Sequence, residues 1–387
     1  MKSIKDIEIK EGEKIFLRVD YNVPIEGGKV KDDTRIRRTI PTLEYLLERK
    51  AILILCSHLG RPKGKTLPEL SLKPVAEKLS EIIKKEVHFS EEIIGENLIK
   101  KINSLSPGDI ILIENIRFDP REEKENEEFA KELRKLADTY INDAFGASHR
   151  KHTSVHLLPK LFEKKAAGFL LFEETKNLKK VRENPERPAI GILGGAKIED
   201  KIGIIEGLLN VMDKVLIGGG MMFTFWKAMG KKIGKSILTE EYVEKVKGLL
   251  NTGKIIVAND ALCVENLESE EIKNLEEIPE NMAGYDIGEN SIENFKKEIS
   301  LAKTIFWNGP MGVFENEKFK KGTIEIAKEI AKRTSEGAFS LAGGGETISA
   351  IKLAGVKEKI SYISTGGGAS LEFMEKGTLP GIEVLEE

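Results

Sequence analysis

Four glycine turns fall in the second half of the chain, and each stands between a short apolar run and a helical pattern. Ile190 to Leu193 leads into Gly194-Gly195-Ala196-Lys197, and Val215 to Ile217 into Gly218-Gly219-Gly220. Ala338 to Leu341 leads into Gly343-Gly344-Gly345-Glu346-Thr347, and Tyr362-Ile363 into Gly366-Gly367-Gly368. Such a turn lets backbone N–H groups reach an anion, and a helix N-terminus favours negative charge. One glycine turn alone also serves any tight βα connection. Four at the C-terminal ends of expected strands are placed where open α/β sheets bind nucleotides. This half therefore reads as a nucleotide-binding domain.

The first half alternates in the same way. Strands are expected at Lys14 to Val19, Ala51 to Ser57, Asp109 to Glu114 and Asp138 to Asn142. Helices are expected near Arg37 to Arg49, Leu72 to Lys84, Ile94 to Ile102 and Glu125 to Leu136. Alternation of this kind implies parallel βαβ units wound right-handedly. The strand ends carry polar and basic groups: Asp20 and Asn22, then His58 and Arg61, then Arg117, then Asn142, Asp143, His149 and Arg150, with Arg35 opening a helix. In such a sheet these ends converge on one crevice, and arginine forks match carboxylate and phosphate. The set reads as an anion pocket, although any one of these arginines could instead be a solvated surface charge.

At 387 residues two domains are expected. A helical pattern from Gly168 to Glu183, closed by Asn184-Pro185-Glu186-Arg187-Pro188, is the best boundary. The fold class is α/β, with two doubly wound parallel-sheet, Rossmann-like domains joined by a hinge helix. A net charge of -3 gives no basic field for nucleic acid, and no run is long enough for a membrane span. Two cysteines, Cys56 and Cys263, exclude a disulfide framework and point to a reducing, cytoplasmic setting. Glutamine is absent while Lys, Glu and Ile abound, which suits a high-temperature source, with compositional drift an equal explanation.

Three tempting motifs fail. Gly64-Lys65-Thr66 resembles the end of a P-loop, but position 59 is Leu, not Gly. Gly218 to Phe223 lacks the closing glycine of the dinucleotide fingerprint. His149, His152 and His156 have helical metal-ligand spacing, but no carboxylate or thiol joins them in that stretch. The acidic run Arg121 to Glu128 reads as a solvated helix start.

Seven motifs in order along the chain resemble the phosphoglycerate kinase family. They are Arg18 to Pro24 (RVDYNVP), Ser57 to Pro62 (SHLGRP), Glu114 to Phe118 (ENIRF), Asn142 to Gly146 (NDAFG), Gly194 to Lys201 (GGAKIEDK), Trp307 to Glu315 (WNGPMGVFE) and Ser364 to Ser370 (STGGGAS). The resemblance implies a monomeric glycolytic phosphotransferase. It would move a phosphoryl group between 1,3-bisphosphoglycerate and ADP, giving 3-phosphoglycerate and ATP with Mg2+. It implies domains at 1–167 and 185–372, a hinge helix at 168–184, and a tail, 373–387, returning to the first domain. By similarity Asp20, Tyr21, Asn22, Arg35, His58, Leu59, Gly60, Arg61, Arg117 and Arg150 hold the phosphoglycerate. Arg35, Lys197 and Lys201 act on the transferring phosphoryl. Gly195, Lys201, Gly219, Gly284, Asn308, Pro310 and Glu315 surround the nucleotide, with Gly344, Gly345, Glu346 and Thr347 at its phosphates and Glu346 on the metal.

Two departures from the family pattern stand out. Glu346 occupies a position where Asp is usual, and its extra methylene moves the carboxylate by about 1.5 Å. Tyr21 replaces a usual Phe and brings a hydroxyl that needs a partner. Lys197 and Lys201 are spaced i, i+4, so one helix face is expected to carry both. The competing readings are a nucleotide-binding regulatory protein that has lost transfer, and a dehydrogenase, which the missing fingerprint disfavours.

Overall fold

Isoleucine and leucine runs bounded by turns are buried on both faces, which is the pattern of a parallel sheet covered by helices. The computed structural model, which describes all 387 residues, builds two such sheets. Residues Met1–Lys176 and Thr378–Glu387 form one compact unit, and Asn177–Gly377 the other.

In the first unit the strands are β1 (Lys14–Arg18), β2 (Ile25–Glu26), β3 (Lys29–Val30), β4 (Ile52–Cys56), β5 (His88–Ser90), β6 (Ile110–Ile113), β7 (Thr139–Asn142) and β8 (Lys165–Ala167). Six of them make an all-parallel sheet in the order β5-β6-β4-β1-β7-β8, while β2 and β3 form a small antiparallel hairpin. Every residue of β4, β6 and β7 is buried. The chain moves outward from β1 on one side through β4, then returns to pair β7 on the other. The order thus reverses beside β1, and the ends of β1 and β7 open onto the crevice where ligands of such sheets bind.

The helices of this unit are α1 (Thr34–Arg38), α2 (Ile40–Glu48), α3 (Lys73–Ile83), α4 (Glu96–Asn103) and α5 (Glu127–Arg134). The single helix expected near Arg37 to Arg49 is two. Pro41 lies in the first turn of α2, and the Thr39 hydroxyl bonds back to the Ile36 carbonyl at 2.8 Å, so the chain breaks at Thr39. The helix α6 (Phe169–Arg182) carries the chain from the first unit into the second, the division falling within it at Lys176 and Asn177.

The second unit contains β9 (Ala189–Leu193), β10 (Lys214–Ile217), β11 (Ile255–Val257), β12 (Ala261–Val264), β13 (Lys273–Leu275), β14 (Ala283–Ile287), β15 (Thr304–Asn308), β16 (Phe339–Gly343) and β17 (Tyr362–Ser364). Its parallel sheet runs β11-β10-β9-β15-β16-β17, so the reversal lies between β9 and β15. This is the doubly wound nucleotide-binding order. An antiparallel sheet, β13-β12-β14, is inserted after β11 and had no counterpart in the sequence reading. Helices α7 (Ile202–Leu209), α8 (Met222–Ala228), α9 (Val243–Leu250), α10 (Glu289–Leu301), α11 (Lys321–Ser335), α12 (Gly345–Leu353) and α13 (Gly368–Lys376) complete it.

The tail that returns to the first unit begins at Thr378, since α13 stays with the second. Its helix α14 (Pro380–Glu386) is tied down through Gly381, whose N–H donates to the Ser148 carbonyl at 2.8 Å. A Cβ at Gly381 would lie 2.7 Å from Val155 Cγ1, so only glycine seats the tail this closely.

Candidate active site

In the first unit, Asp20 follows β1 and accepts from Arg35 Nη1 at 2.8 Å and from the Asn22 N–H at 3.2 Å. Asn22 Oδ1 in turn accepts from the Gly60 N–H at 2.9 Å, and Gly60 accepts from Arg117 Nη1 at 2.7 Å. Groups from the ends of β1 and β4, from the loop after β6 and from the start of α1 are therefore linked in one chain of hydrogen bonds. Asn115 holds the loop beneath it: its amide accepts from the Leu59 N–H at 3.1 Å and donates to the Leu59 carbonyl at 2.7 Å. Arg61 follows, with its side chain exposed.

The charge at this site is strongly one-sided. Burial, then the guanidiniums of Arg18, Arg117, Arg35 and Arg150, hold His58 well below the usual imidazole range. Burial, then Arg150 and Arg18, push Arg117 down to about 10. His152 is pushed down to about 3 by burial, then by Arg117, Arg18 and Arg150. Four arginines and a neutral histidine thus share one electrostatic neighbourhood, which suits a multiply charged anion.

Several side chains take places other than those expected. The Tyr21 ring is in the core, its hydroxyl bonded to Thr39 Oγ1 at 2.8 Å and its N–H to Ser57 Oγ at 2.8 Å. The phenol therefore has its partner at the break between α1 and α2, and its side chain is not offered to a ligand. The acidic run is not simply a solvated helix start. Glu122 is completely buried, and α5 begins only at Glu127. The Glu122 carboxylate accepts from Ser154 N at 2.9 Å and Ser154 Oγ at 2.6 Å, and burial pushes it up to about 7 against the pull of Arg18. Arg18 was not among the expected site residues. An arginine directly after the apolar, buried run Ile15-Phe16-Leu17 was the signal for it.

In the second unit, the turns after β9, β10 and β15 pack backbone against backbone. Gly194 N donates to the Asn308 carbonyl at 2.9 Å, and Gly195 N to the Pro310 carbonyl at 2.9 Å. Gly219, at φ +67°, would place a Cβ 2.6 Å from Gly195 N, so neither the torsion nor the space admits a side chain. Beside these turns lies a cavity of about 390 Å³, the size of a small-ligand pocket. Gly219, Gly284, Pro310 and Glu315 all line it, with Phe223, Tyr285 and Met311 adding apolar wall. The inserted sheet supplies Gly284 and Tyr285 from β14, which is why the sequence alternation gave no sign of them.

A second cleft of about 240 Å³ is lined by Lys201, Asn308, Gly344, Gly345, Thr347 and Gly367, among others. Glu346 borders both cavities. Lys201 Nζ donates to Asn308 Oδ1, and Asn308 Nδ2 donates to the Gly343 carbonyl at 2.6 Å. Burial lowers the Lys201 ammonium, which Glu346 and Asp200 offset in part. Thr347 Oγ1 accepts from the Gly309 N–H at 2.8 Å. The cleft faces the start of α12, where Gly344 sits at φ +100°. Aligned N–H groups of a helix start and one lysine are donors of the kind that a phosphate accepts from.

Lys197 and Lys201 do not share a helix face. The stretch after Gly195 (φ +110°) is a loop, and α7 begins only at Ile202. Lys197 is 59% exposed and lies 3.8 Å from Glu199, whereas Lys201 turns into the cleft. No three His, Cys, Asp or Glu side chains form a metal cage. Glu346 is a single carboxylate bordering the cleft, and one carboxylate suits a hard ion that takes its other ligands from phosphate and water.

Two separate anion sites define the class. One is built from arginine side chains and the other from glycine turns beside a nucleoside-sized cavity, as in a phosphotransferase on a pair of doubly wound sheets. The family model described as phosphoglycerate kinase matches residues 4–377. The chain is 46% identical to the phosphoglycerate kinase of Fervidobacterium nodosum, over 98% of this chain and 97% of that protein. It is 47% identical to that of Thermosipho africanus, over 98% and 96%. Among solved structures, phosphoglycerate kinase from Coxiella burnetii superposes with a TM-score of 0.90 at 35% identity, covering 99% and 98% of the two chains. That from Pyrococcus horikoshii gives 0.80 at 32%, covering 100% and 98%. The chain belongs to the phosphoglycerate kinase family, and its activity is that of this glycolytic phosphotransferase.

Proposed function

We infer that the kinase reaction is divided between the two units. The first holds 3-phosphoglycerate or 1,3-bisphosphoglycerate, and the second holds ADP or ATP. The observation that carries this division is the contrast between the sites. Arg35, Arg117, Arg150 and His58 gather side-chain donors around the end of β1. The glycine turns of the second unit instead offer backbone donors beside a 390 Å³ cavity.

Phosphoryl transfer needs in-line positioning, balanced charge on the equatorial oxygens and exclusion of water. Asp20, Asn22, His58, Arg61, Arg117 and Arg150 bind and orient the phosphoglycerate. The main chain of Tyr21, Leu59 and Gly60 shapes the loops that carry them. Arg35 stabilises the phosphoryl in transit, and its pairing with Asp20 preorganises it. Lys201 balances charge at the nucleotide phosphates, with Lys197 swinging in from its exposed position. Gly219, Gly284, Pro310 and Glu315 wall the adenosine, and Asn308, Gly344, Gly345 and Thr347 receive the phosphates. Mg2+, held by Glu346 and the nucleotide, would neutralise phosphate charge.

With donor and acceptor on different units, productive transfer requires them to close, and α6, which belongs partly to each, is the hinge element. The chain acts as a cytoplasmic monomer with no nucleic-acid or membrane partner. A coupled assay for ATP formation, with melting measured in ADP, in 3-phosphoglycerate and in both, tests the division. Each ligand alone should stabilise, and the pair should compact the chain in solution scattering. Unchanged scattering with both substrates would remove the closure step, and no stabilisation by 3-phosphoglycerate would remove the arginine site.

A further inference from the structure

Beneath the arginine site runs a buried hydrogen-bond chain that the reaction as described does not use. Arg18 ends β1 and is 1% exposed. Its Nε donates to Ser154 Oγ at 2.9 Å, one Nη donates to the Val19 carbonyl, and the other lies 3.3 Å from His58 Nδ1. A guanidinium has only donors, so Nδ1 of His58 must be the acceptor and cannot carry a proton. The ring is also surrounded by Arg18, Arg117, Arg35 and Arg150, which disfavour a second positive charge. Its single proton is therefore on Nε2.

The polarity continues downward. Ser154 Oγ accepts from Arg18, so its own proton goes to Glu122 Oε1 at 2.6 Å, while Glu122 Oε2 accepts from Ser154 N at 2.9 Å. His152 Nδ1 lies 3.9 Å from Glu122 Oε1. The groups facing the carboxylate are thus Arg18 from β1, Arg117 from the loop after β6, and His152 and Ser154 at the π-helical turn Thr153–Leu157. It is the buried acceptor that the inward end of the arginine cluster leans on.

We propose that Glu122 is a positioning residue for the phosphoglycerate site: through Ser154 it holds Arg18 against His58 and so fixes the neutral imidazole as an Nε2–H donor. An anionic ligand is met by a proton there instead of a lone pair, and the tautomer is set by a partner on the other ring nitrogen. The proposal rests on the first unit being the phosphoglycerate site.

Glu122→Gln keeps the shape but puts an NH2 in place of one of the two oxygens, each of which now accepts a hydrogen bond from Ser154. Ser154→Ala cuts the same chain and leaves the carboxylate in place. Both are expected to raise the KM for 3-phosphoglycerate about tenfold, with kcat and the KM for ATP within about twofold. Glu122→Asp should recover part of the loss. Independently of any ligand, two-bond 1H–15N correlations of the wild-type imidazoles should show His58 neutral with Nε2 protonated, and Glu122→Gln should populate the other tautomer. A wild-type His58 protonated on Nδ1, or an unchanged KM in Glu122→Gln and Ser154→Ala, overturns the proposal. So does a uniform fall in kcat and both affinities that tracks melting temperature, since that is a purely structural effect. If the wild type itself showed no saturable use of 3-phosphoglycerate, the assignment of the site would fail while the tautomer result still stood.

Discussion

Lys201→Met removes a buried charge and keeps most of the stem that carries it. The ammonium lies in a cleft of about 240 Å³, donating to Asn308. Asn308 is itself fixed by Gly343, so Nζ is held in place before any nucleotide arrives. A unit charge about 4 Å from a phosphate oxygen contributes about 4 kcal/mol at an effective dielectric of about 20. Water entering the space left by the ammonium recovers part of this. A net barrier rise of about 3 kcal/mol is expected, or a fall in kcat of about 150-fold.

The free protein should respond differently. Burial already works against the ammonium, and Glu346 and Asp200 offset it only in part. Its removal relieves that cost, while Asn308 Oδ1 loses a donor, a loss of about 1–3 kcal/mol. The two effects nearly cancel, so the melting temperature without ligand should stay within about 3 °C of wild type. The assays are the coupled spectrophotometric measurement of kcat at saturating substrates and thermal melting with and without Mg-ADP. A kcat within threefold of wild type would mean that Nζ does not face the transferring group. A drop of more than about 8 °C without ligand would mean that Lys201 supports the fold, and the rate loss could not be assigned to charge.

For Arg35→Ala, kcat should fall at least about tenfold, with a smaller change in the KM for 3-phosphoglycerate, because a contact made in the transition state acts on rate. A change confined to KM would make Arg35 a binding residue only. Glu346→Gln should raise the free Mg2+ needed for half-maximal rate about tenfold, while Glu346→Asp keeps a carboxylate and changes it less. An unmoved Mg2+ titration in Glu346→Gln would take the metal away from this residue. Acid should weaken the first unit through its buried histidines. His152 is lowered from 6.5 to about 3, so its contribution is present above pH 6.5 and lost as pH falls toward 3. At pH 5 the loss is about 2 kcal/mol, from about 1.5 pH units at about 1.4 kcal/mol each. His152→Gln should therefore lose less stability between pH 7.5 and pH 5 in urea unfolding followed by circular dichroism. Parallel losses in the two proteins would refute the assignment.

Strand β9 was legible to within one residue, and α6 to within one at each end, because apolar periodicity and proline punctuation act locally. The convergence of Asp20, Asn22, His58 and Arg117 was legible too, since parallel strands must deliver their C-terminal ends to one side. What escaped depends on partners distant in sequence. Glu122 looks solvated among its charged neighbours, and Ser154 and Arg18, distant in sequence, together with Arg117 make its burial tolerable. Lys197 and Lys201 match a helix by spacing, but the loop after Gly195 breaks the period before α7 begins. Strands β12 to β14 are short and pair antiparallel to each other, so they left no alternation with helices to read.

The same sheet design solves two different charge problems. On the division proposed above, a nucleotide brings a cation with it, so the second unit needs only close-packed turns, a helix start and one lysine around its phosphates. That favours residues without side chains, and backbone contact at Gly194, Gly219 and Pro310 leaves no room for any. The phosphoglycerate anion has no such companion, so the protein must supply the positive charge itself. Four arginines meet the need but repel one another: Arg117 is lowered first by burial and then by Arg150 and Arg18. Holding them together before a ligand arrives requires compensation placed out of the ligand's reach. Asp20 supplies it for Arg35 near the surface, and Glu123, 3.3 Å from Nε, supplies it for Arg117. Glu122 supplies it from below for Arg18, whose inward face no substrate can touch. An arginine pocket built for an unaccompanied anion therefore carries its carboxylates behind it, and the buried one is as much a consequence of the substrate's charge as the arginines are.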